Sequence, residues 1–153
     1  MDEGTEGVRL VVGRLQLAFH RRGDRWGHEV VVGGRVLLRS VEGVAADGDP
    51  RWPRSPVLTE VTTVEVAGGP AVVGVGLAGR SHFSAAFRAD PRRADTLVCE
   101  LACRIQERPE WLGSTYLAPD AVTATVAAAA AEPPATVRWS YAIGPAGIEV
   151  PPP

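Results

Sequence analysis

The residues best suited to acid–base chemistry lie in a β-rich segment around His82. His82, Ser84 and Arg88 stand at positions of one parity, so they project from one face if the segment is a strand. Glu100 lies in the next β-rich segment, on the strand side that could join the same sheet face. An imidazole titrates near neutral pH, and a carboxylate can orient it. We therefore consider His82 a candidate general acid or base, with Glu100 as its partner.

The surroundings of this polar row allow two interpretations. Gly74 and Gly76 belong to the preceding β-rich segment, and on the same sheet face they would leave room for a ligand beside Arg80, Arg88 or Arg104. Arginine would then hold an anionic group of that ligand. Alternatively, the same residue types form an ordinary solvated sheet face, and the glycines meet another layer. The solvated face is the simpler interpretation, since a site must be argued from its geometry.

Two tryptophans in Pro-containing segments form a second candidate site. Trp52 lies in Asp-Pro-Arg-Trp-Pro-Arg and Trp111 in Arg-Pro-Glu-Trp-Leu-Gly. Tryptophan beside arginine and acids is typical of surfaces that stack on sugar rings or bind a protein partner. The alternative is that each indole folds back to close one end of the domain, since large aromatics bury most of their area.

Charge and motif content exclude several classes of function. All 16 basic residues are arginine, and 18 acids give a net charge of −2, so the basic excess of a nucleic-acid-binding protein is missing. A GC-rich genome explains the arginine bias. Without lysine, Schiff-base chemistry and a P-loop are excluded. Since the three histidines are dispersed and no nucleotide motif occurs, we expect no metal and no cofactor.

The sequence also predicts the cellular context. No stretch approaches the ~20 apolar residues of a membrane span. The acidic start Met-Asp-Glu-Gly lacks the features of a signal peptide. We therefore expect a bacterial cytoplasmic protein without a membrane partner. Cys99 and Cys103 alternate with polar residues, which puts them on one strand, too far apart to bond to each other.

Short β-rich runs separated by turn residues predict the fold. The chain has 17 glycines and 13 prolines, and no amphipathic helix is evident. We predict an all-β protein, an antiparallel β-sandwich or barrel-like sandwich of about eight or nine strands with little or no helix. Trp26 and Trp139 fall in strands and are expected in the core. The Gly33-Gly34 pair predicts a hairpin.

The chain reads as a single domain. We expect a flexible N-terminus at 1–7, one sandwich domain at 8–146, and an extended Pro-rich tail at 147–153. Alternation changes phase at Gly13, which predicts either a β-bulge or two short strands with a kink. Segment 121–131 combines alternation with an alanine run, so strand and helix both stay open.

These features favour a non-catalytic binding module whose ligand is a protein partner or a carbohydrate-like molecule. One alternative is a small enzyme that acts on a polar metabolite or sugar through His82, Glu100 and an arginine. A second is a structural homo-oligomer joined through an exposed strand edge or the glycine-bearing face.

Overall fold

The computed structural model describes residues 7–43, 48–120, 122–129 and 131–150. These residues form two antiparallel sheets packed face to face, which confirms the predicted all-β sandwich. The described part of the chain holds no helix that would be long and apolar enough to cross a membrane. The strands are β1 (Gly7–Val12), β2 (Leu15–Arg22), β3 (Arg25–Val32), β4 (Arg35–Ser40), β5 (Glu60–Val66), β6 (Gly69–Ala78), β7 (Ser81–Ala89), β8 (Leu97–Ile105), β9 (Gly113–Leu117), β10 (Thr123–Ala127), β11 (Ala135–Gly144) and β12 (Gly147–Glu149).

Both sheets follow one plan, a four-stranded meander extended by a later hairpin. Sheet I has the order β1-β2-β3-β4-β9-β10, and sheet II has the order β12-β11-β8-β7-β6-β5. Inward side chains from both sheets form one core between them. Phe19 of β2 and Phe87 of β7, for example, meet across the sandwich with ring centroids 5.2 Å apart.

The described residues form twelve strands rather than the predicted eight or nine. β12 extends sheet II beyond the predicted domain boundary at residue 146. Within the segment 121–131, for which strand and helix were both open, Thr123–Ala127 form the strand β10; residues 121 and 130 lie outside the described residues. Trp26 and Trp139 are buried, as predicted, and Gly33-Gly34 joins β3 to β4 as the predicted hairpin turn.

The phase change at Gly13 has a different cause from the predicted bulge. β1 and β2 form a hairpin in which Val12 pairs with Leu15 and Leu10 with Leu17. Gly13 has a φ of 59°, a left-handed conformation that suits glycine in a tight turn. In this hairpin, even-numbered residues of β1 pair with odd-numbered residues of β2. The core-facing positions therefore change from even to odd numbers at the turn without any extra residue. The predicted bulge was therefore wrong, and the two strands are separate.

The connection from β4 to β5 crosses from sheet I to sheet II through the interior. Ser55 exchanges hydrogen bonds with the Thr115 backbone in β9, at 3.0 and 3.1 Å. Further on, the Thr59 N–H donates to the Val75 carbonyl of β6 at 2.8 Å. Val57 and Leu58 between them are buried. Residues 55–58 of this crossing segment (55–59) therefore form part of the core rather than a surface loop, and Thr59 is exposed where the segment reaches sheet II.

A chain of polar groups lies inside this core. The His28 Nε2 atom is 2.7 Å from the Tyr116 hydroxyl, which is 2.8 Å from the Tyr141 hydroxyl. Burial, with a smaller contribution from the nearby Arg22 charge, lowers the pKa of His28 to about 3. The imidazole is therefore neutral at physiological pH. Burial also raises the pKa of both tyrosines, so their hydroxyls stay protonated.

The backbone of His28 connects this chain to a partly buried ion pair. Its N–H donates to the Ser40 hydroxyl at 2.8 Å, and that hydroxyl donates to the Glu42 carboxylate. Glu42 also accepts a hydrogen bond from Arg22 at 2.8 Å. The arginine thus compensates a carboxylate that is 9% exposed, as burial of a charge requires.

Cys99 and Cys103 both lie on β8, are buried, and are not bonded to each other. Burial raises the pKa of the Cys99 thiol and raises that of Cys103 to about 11. Because the thiolate is the reactive form, we expect neither cysteine to react with a thiol reagent such as Ellman's reagent in the folded protein. Both should react within minutes in denaturant. Rapid labelling of the native protein would contradict this prediction.

Candidate functional site

A concave cleft of about 420 Å³ lies on the outer face of sheet I, over β9 and β10. Both tryptophans singled out from the sequence line it, although they lie far apart in the chain. Trp52 comes from the β4–β5 connection and Trp111 from the β8–β9 connection. The lining residues are Gly48, Asp49, Trp52, Arg54, Glu110, Trp111, Thr115, Thr123 and Thr125.

Trp52 forms one wall and is held by a short turn. The backbone N–H of Trp52 donates to the Asp49 carbonyl at 2.9 Å, and the backbone N–H of Arg51 donates to the Asp49 carboxylate at 2.9 Å. Only 4% of Trp52 is exposed. The interpretation that this indole folds back onto the sandwich therefore holds, while its outer edge still borders the cleft.

Arg51 connects the two tryptophan segments. Its guanidinium pairs with Asp49 at 2.6 Å and with Glu107, next to the Trp111 segment, at 2.6 Å. The hydrogen bond from Arg51 is the main reason that the pKa of Asp49 lies below its usual range. Asp49 is therefore a carboxylate at neutral pH. Because the pairs are partly exposed, their main effect is to fix the relative position of the two walls.

Trp111 forms the opposite wall and is partly buried. A Cβ atom at Gly113 would lie 2.3 Å from the Val126 carbonyl oxygen and 3.1 Å from the Trp111 ring, so only glycine permits this approach. The Trp111 Nε1 atom is buried and has no hydrogen-bond partner among the described residues. An unpaired buried donor costs about 1–3 kcal/mol.

The floor and rim offer polar groups to a ligand. Thr115 of β9 and Thr125 of β10 face each other on the floor, with Thr123 beside them. Asp49 and Glu110 supply acceptor oxygens, and Arg54 supplies donors. Indole rings with converging hydroxyls and carboxylates suit a ligand with apolar ring faces and many hydroxyl groups.

The polar row around His82 lies elsewhere, on the outer face of sheet II. His82 and Glu100 are both exposed, and the register separates them. His82 faces Arg104 across β8, whereas Glu100 faces Ala86, four residues further along β7 or about 13 Å. The two side chains line different hollows, His82 one of about 450 Å³ and Glu100 one of about 570 Å³. The structure therefore does not bring His82 and Glu100 together.

The other predicted residues of this face are dispersed. Arg88 pairs with Glu100 at 3.3 Å, so the predicted partner of His82 is bound to an arginine instead. Ser84 borders both hollows, while Arg80 lies exposed in the β6–β7 turn. Arg104 lies beside His82 and forms no ion pair among the described residues.

The glycines expected beside His82 face the opposite way. Gly74 and Gly76 point into the core, and the residues next to His82 and Ser84 on β6 are Leu77 and Val75. The glycines are needed because the crossing segment packs directly on them. A Cβ atom at Gly76 would lie 2.1 Å from the Val57 carbonyl oxygen. The prediction of an open, glycine-bearing ligand surface was therefore wrong, and the alternative of contact with another layer is confirmed.

Sequence reasoning missed most of the polar lining of the cleft. Asp49, Arg54 and Glu110 flank the tryptophans in the sequence, which was an available signal. The threonines gave none, because only the pairing of β9 with β10 brings them below the indoles. In the part of the chain that the structure describes, no group of three or more His, Cys, Asp or Glu is placed to hold a metal ion.

The fold and the cleft define the class of this protein as a two-sheet antiparallel β-sandwich with an aromatic-walled cleft. Comparisons with family models, curated proteins and solved structures found no match to the chain.

Proposed function

We propose that this protein is a non-catalytic binding module that holds a carbohydrate-like, polyhydroxylated ligand in the cleft between Trp52 and Trp111. The observation that supports the proposal most directly is that Trp52 and Trp111, from two separate connections, wall one cleft that is also lined with hydroxyls and carboxylates. Ligand oxygens would accept from Arg54, and ligand hydroxyls would donate to Asp49 and Glu110.

The electrostatic character of the cleft narrows the ligand class. Asp49 and Glu110 provide two carboxylates against one guanidinium, that of Arg54, since Arg51 is occupied by Asp49 and Glu107. These carboxylates would repel an anionic ligand and lower its affinity. A neutral ligand, a mono- or disaccharide, therefore fits the cleft best.

The variant Trp111→Phe tests the proposal. Phenylalanine keeps an aromatic wall but presents a smaller ring face to the ligand, so we expect saccharide affinity to fall about tenfold, which corresponds to about 1.4 kcal/mol, the upper end for an aromatic contact. The variant should stay folded, because phenylalanine fills most of the space of the partly buried indole. Isothermal titration with a panel of neutral mono- and disaccharides measures the affinity, and differential scanning calorimetry measures the stability.

His82→Ala is the matched control, since it changes an exposed ring on the other sheet and should leave saccharide affinity unaltered. No heat of binding for any saccharide at millimolar concentration would overturn the proposal. Binding that survives Trp111→Phe but is lost in His82→Ala would instead place the ligand on the outer face of sheet II.

The same geometry weighs against the alternative of a small enzyme. That hypothesis needs His82 and Glu100 within hydrogen-bond reach in a concave pocket. The sheet register puts them about 13 Å apart along the strands, and Glu100 is paired with Arg88. We therefore do not propose acid–base chemistry by this pair.

A further inference from the structure

The sandwich has four edge strands, and they differ in how well they are protected against pairing with another chain. β1 contains Arg9, β5 contains Glu60 and Glu65, and the short β12 contains Glu149, which pairs with Arg93. Charged residues and short length are the usual means of protecting an edge. The fourth edge, β10, is Thr-Ala-Thr-Val-Ala and has no charged residue.

The free side of β10 presents backbone groups of alternate residues. Ala118 donates to the Val122 carbonyl and Ala128 to the Leu112 carbonyl, which fixes the residues whose groups point toward β9. By the alternation of an antiparallel ladder, the N–H and C=O groups of the other residues point away from the sheet. Those residues are Thr123, Thr125 and Ala127. Among the described residues, none of these groups has a backbone partner.

We propose that β10 pairs antiparallel with β10 of a second copy of this chain, about a two-fold axis at Thr125. This register places Thr125 opposite its own counterpart and Thr123 opposite Ala127, so all three outward residues exchange hydrogen bonds. An isologous interface requires such self-complementarity, in which each residue meets the symmetry-related position. The pairing joins sheet I of each copy into one twelve-stranded sheet.

The side chains along β10 are compatible with this pairing. Thr125 meets Thr125 on the outer face, and cross-strand threonine pairs are favourable. On the inner face, Ala124 meets Val126, both small and apolar. No charged residue of β10 approaches a like charge in this register. Because β10 is the edge strand without a charged residue among the described strands, it is the edge best suited to pair with a second copy.

The same pairing would bring the two clefts together. Thr123 and Thr125 line the cleft, so the partner strand would run along its open side and place the two clefts next to each other across the axis. The interface itself rests only on β10 and does not depend on the proposed ligand. Because five-residue edge pairing is small compared with a stable dimer interface, we expect association that depends on protein concentration.

Sedimentation equilibrium of the full chain, from about 10 μM to about 1 mM, tests the proposal over the range expected of a small interface. The wild type should shift from monomer to dimer over this range. Thr125→Lys puts two ammonium groups opposite each other at the axis, so the dimer dissociation constant should rise at least tenfold. Thr62→Lys is the matched control, since it adds the same charge to the exposed edge strand β5 and should leave the dimer intact.

Amide hydrogen exchange identifies the strand directly. The Thr123, Thr125 and Ala127 amides should become more protected as protein concentration increases, while the β5 amides should not. A chain that stays monomeric up to about 1 mM, beyond any such weak interface, would overturn the proposal. So would a dimer that is lost in Thr62→Lys and retained in Thr125→Lys, or one without added protection at β10.

Discussion

Gly76→Ala should lower the free energy of unfolding by about 3 kcal/mol, the upper end of the usual cost of overpacking. The added Cβ atom would lie 2.1 Å from the carbonyl oxygen and 2.7 Å from the carbonyl carbon of Val57. These are backbone atoms of the crossing segment, which is hydrogen-bonded on both sides and cannot turn aside as a flexible side chain would. Urea denaturation followed by circular dichroism measures the effect.

Two further glycines make this prediction specific. A Cβ at Gly74 would lie 3.1 Å from a Leu58 methyl group, a milder conflict, so Gly74→Ala should cost about 1 kcal/mol. Gly43 has nothing within 4 Å of that position, and Gly43→Ala should change stability by less than about 0.5 kcal/mol. Equal stabilities for the three variants would show that the crossing segment does not pack on β6 in this way.

Acidification should destabilise the protein well above the pH at which carboxylates protonate. The pKa of His28 is about 3 in the folded protein and about 6.5 in the unfolded chain, so below pH 6.5 the unfolded state binds a proton that the native state does not. Stability therefore falls as pH decreases, by about 1.4 kcal/mol per pH unit, until His28 itself titrates near pH 3. Between pH 6.5 and 5 the loss should be about 2 kcal/mol.

Urea titrations at pH 7.5 and 5 measure this loss in the wild type and in His28→Gln. Glutamine cannot take up a proton, so the variant should lose about 2 kcal/mol less stability over this interval than the wild type does. His82→Gln is the control, because that ring is exposed on the outer sheet. The lowered pKa of Asp90 and Asp95 removes stability only below about pH 4 and does not interfere. An unchanged pH dependence in His28→Gln would refute the assignment.

Much of the fold was predictable because most strands bury one face only. β8 alternates buried and exposed residues along its whole length, and its sequence alternates in the same way. β9 is different, because its first four residues are all buried. One face of β9 meets the core. In addition, Ser55 of the crossing segment packs against β9 and exchanges hydrogen bonds with the Thr115 backbone. Without alternation, Gly113–Leu117 gave no strand signal, and the strand count came out too low.

The candidate site was predictable only in part. The composition around Trp52 and Trp111 identified both residues, but their meeting depends on Arg51, which joins two connections from different parts of the chain. The proximity of His82 to Glu100 was inferred from parity alone. Parity gives the sheet face but not the distance along it, which the pairing register sets. Likewise, parity put Gly74 and Gly76 on one face without indicating which layer that face meets.

The shared plan of the two sheets has a consequence for the order of folding. Each meander, β1–β4 and β5–β8, closes only short loops, and such local contacts form early. The pairing of β4 with β9 joins Ser40 to Tyr116, across the whole second meander. The entropic cost of closing the loop between these two residues is smaller once the intervening chain is already compact. We therefore expect the cleft, which lies over β9 and β10, to form after both meanders.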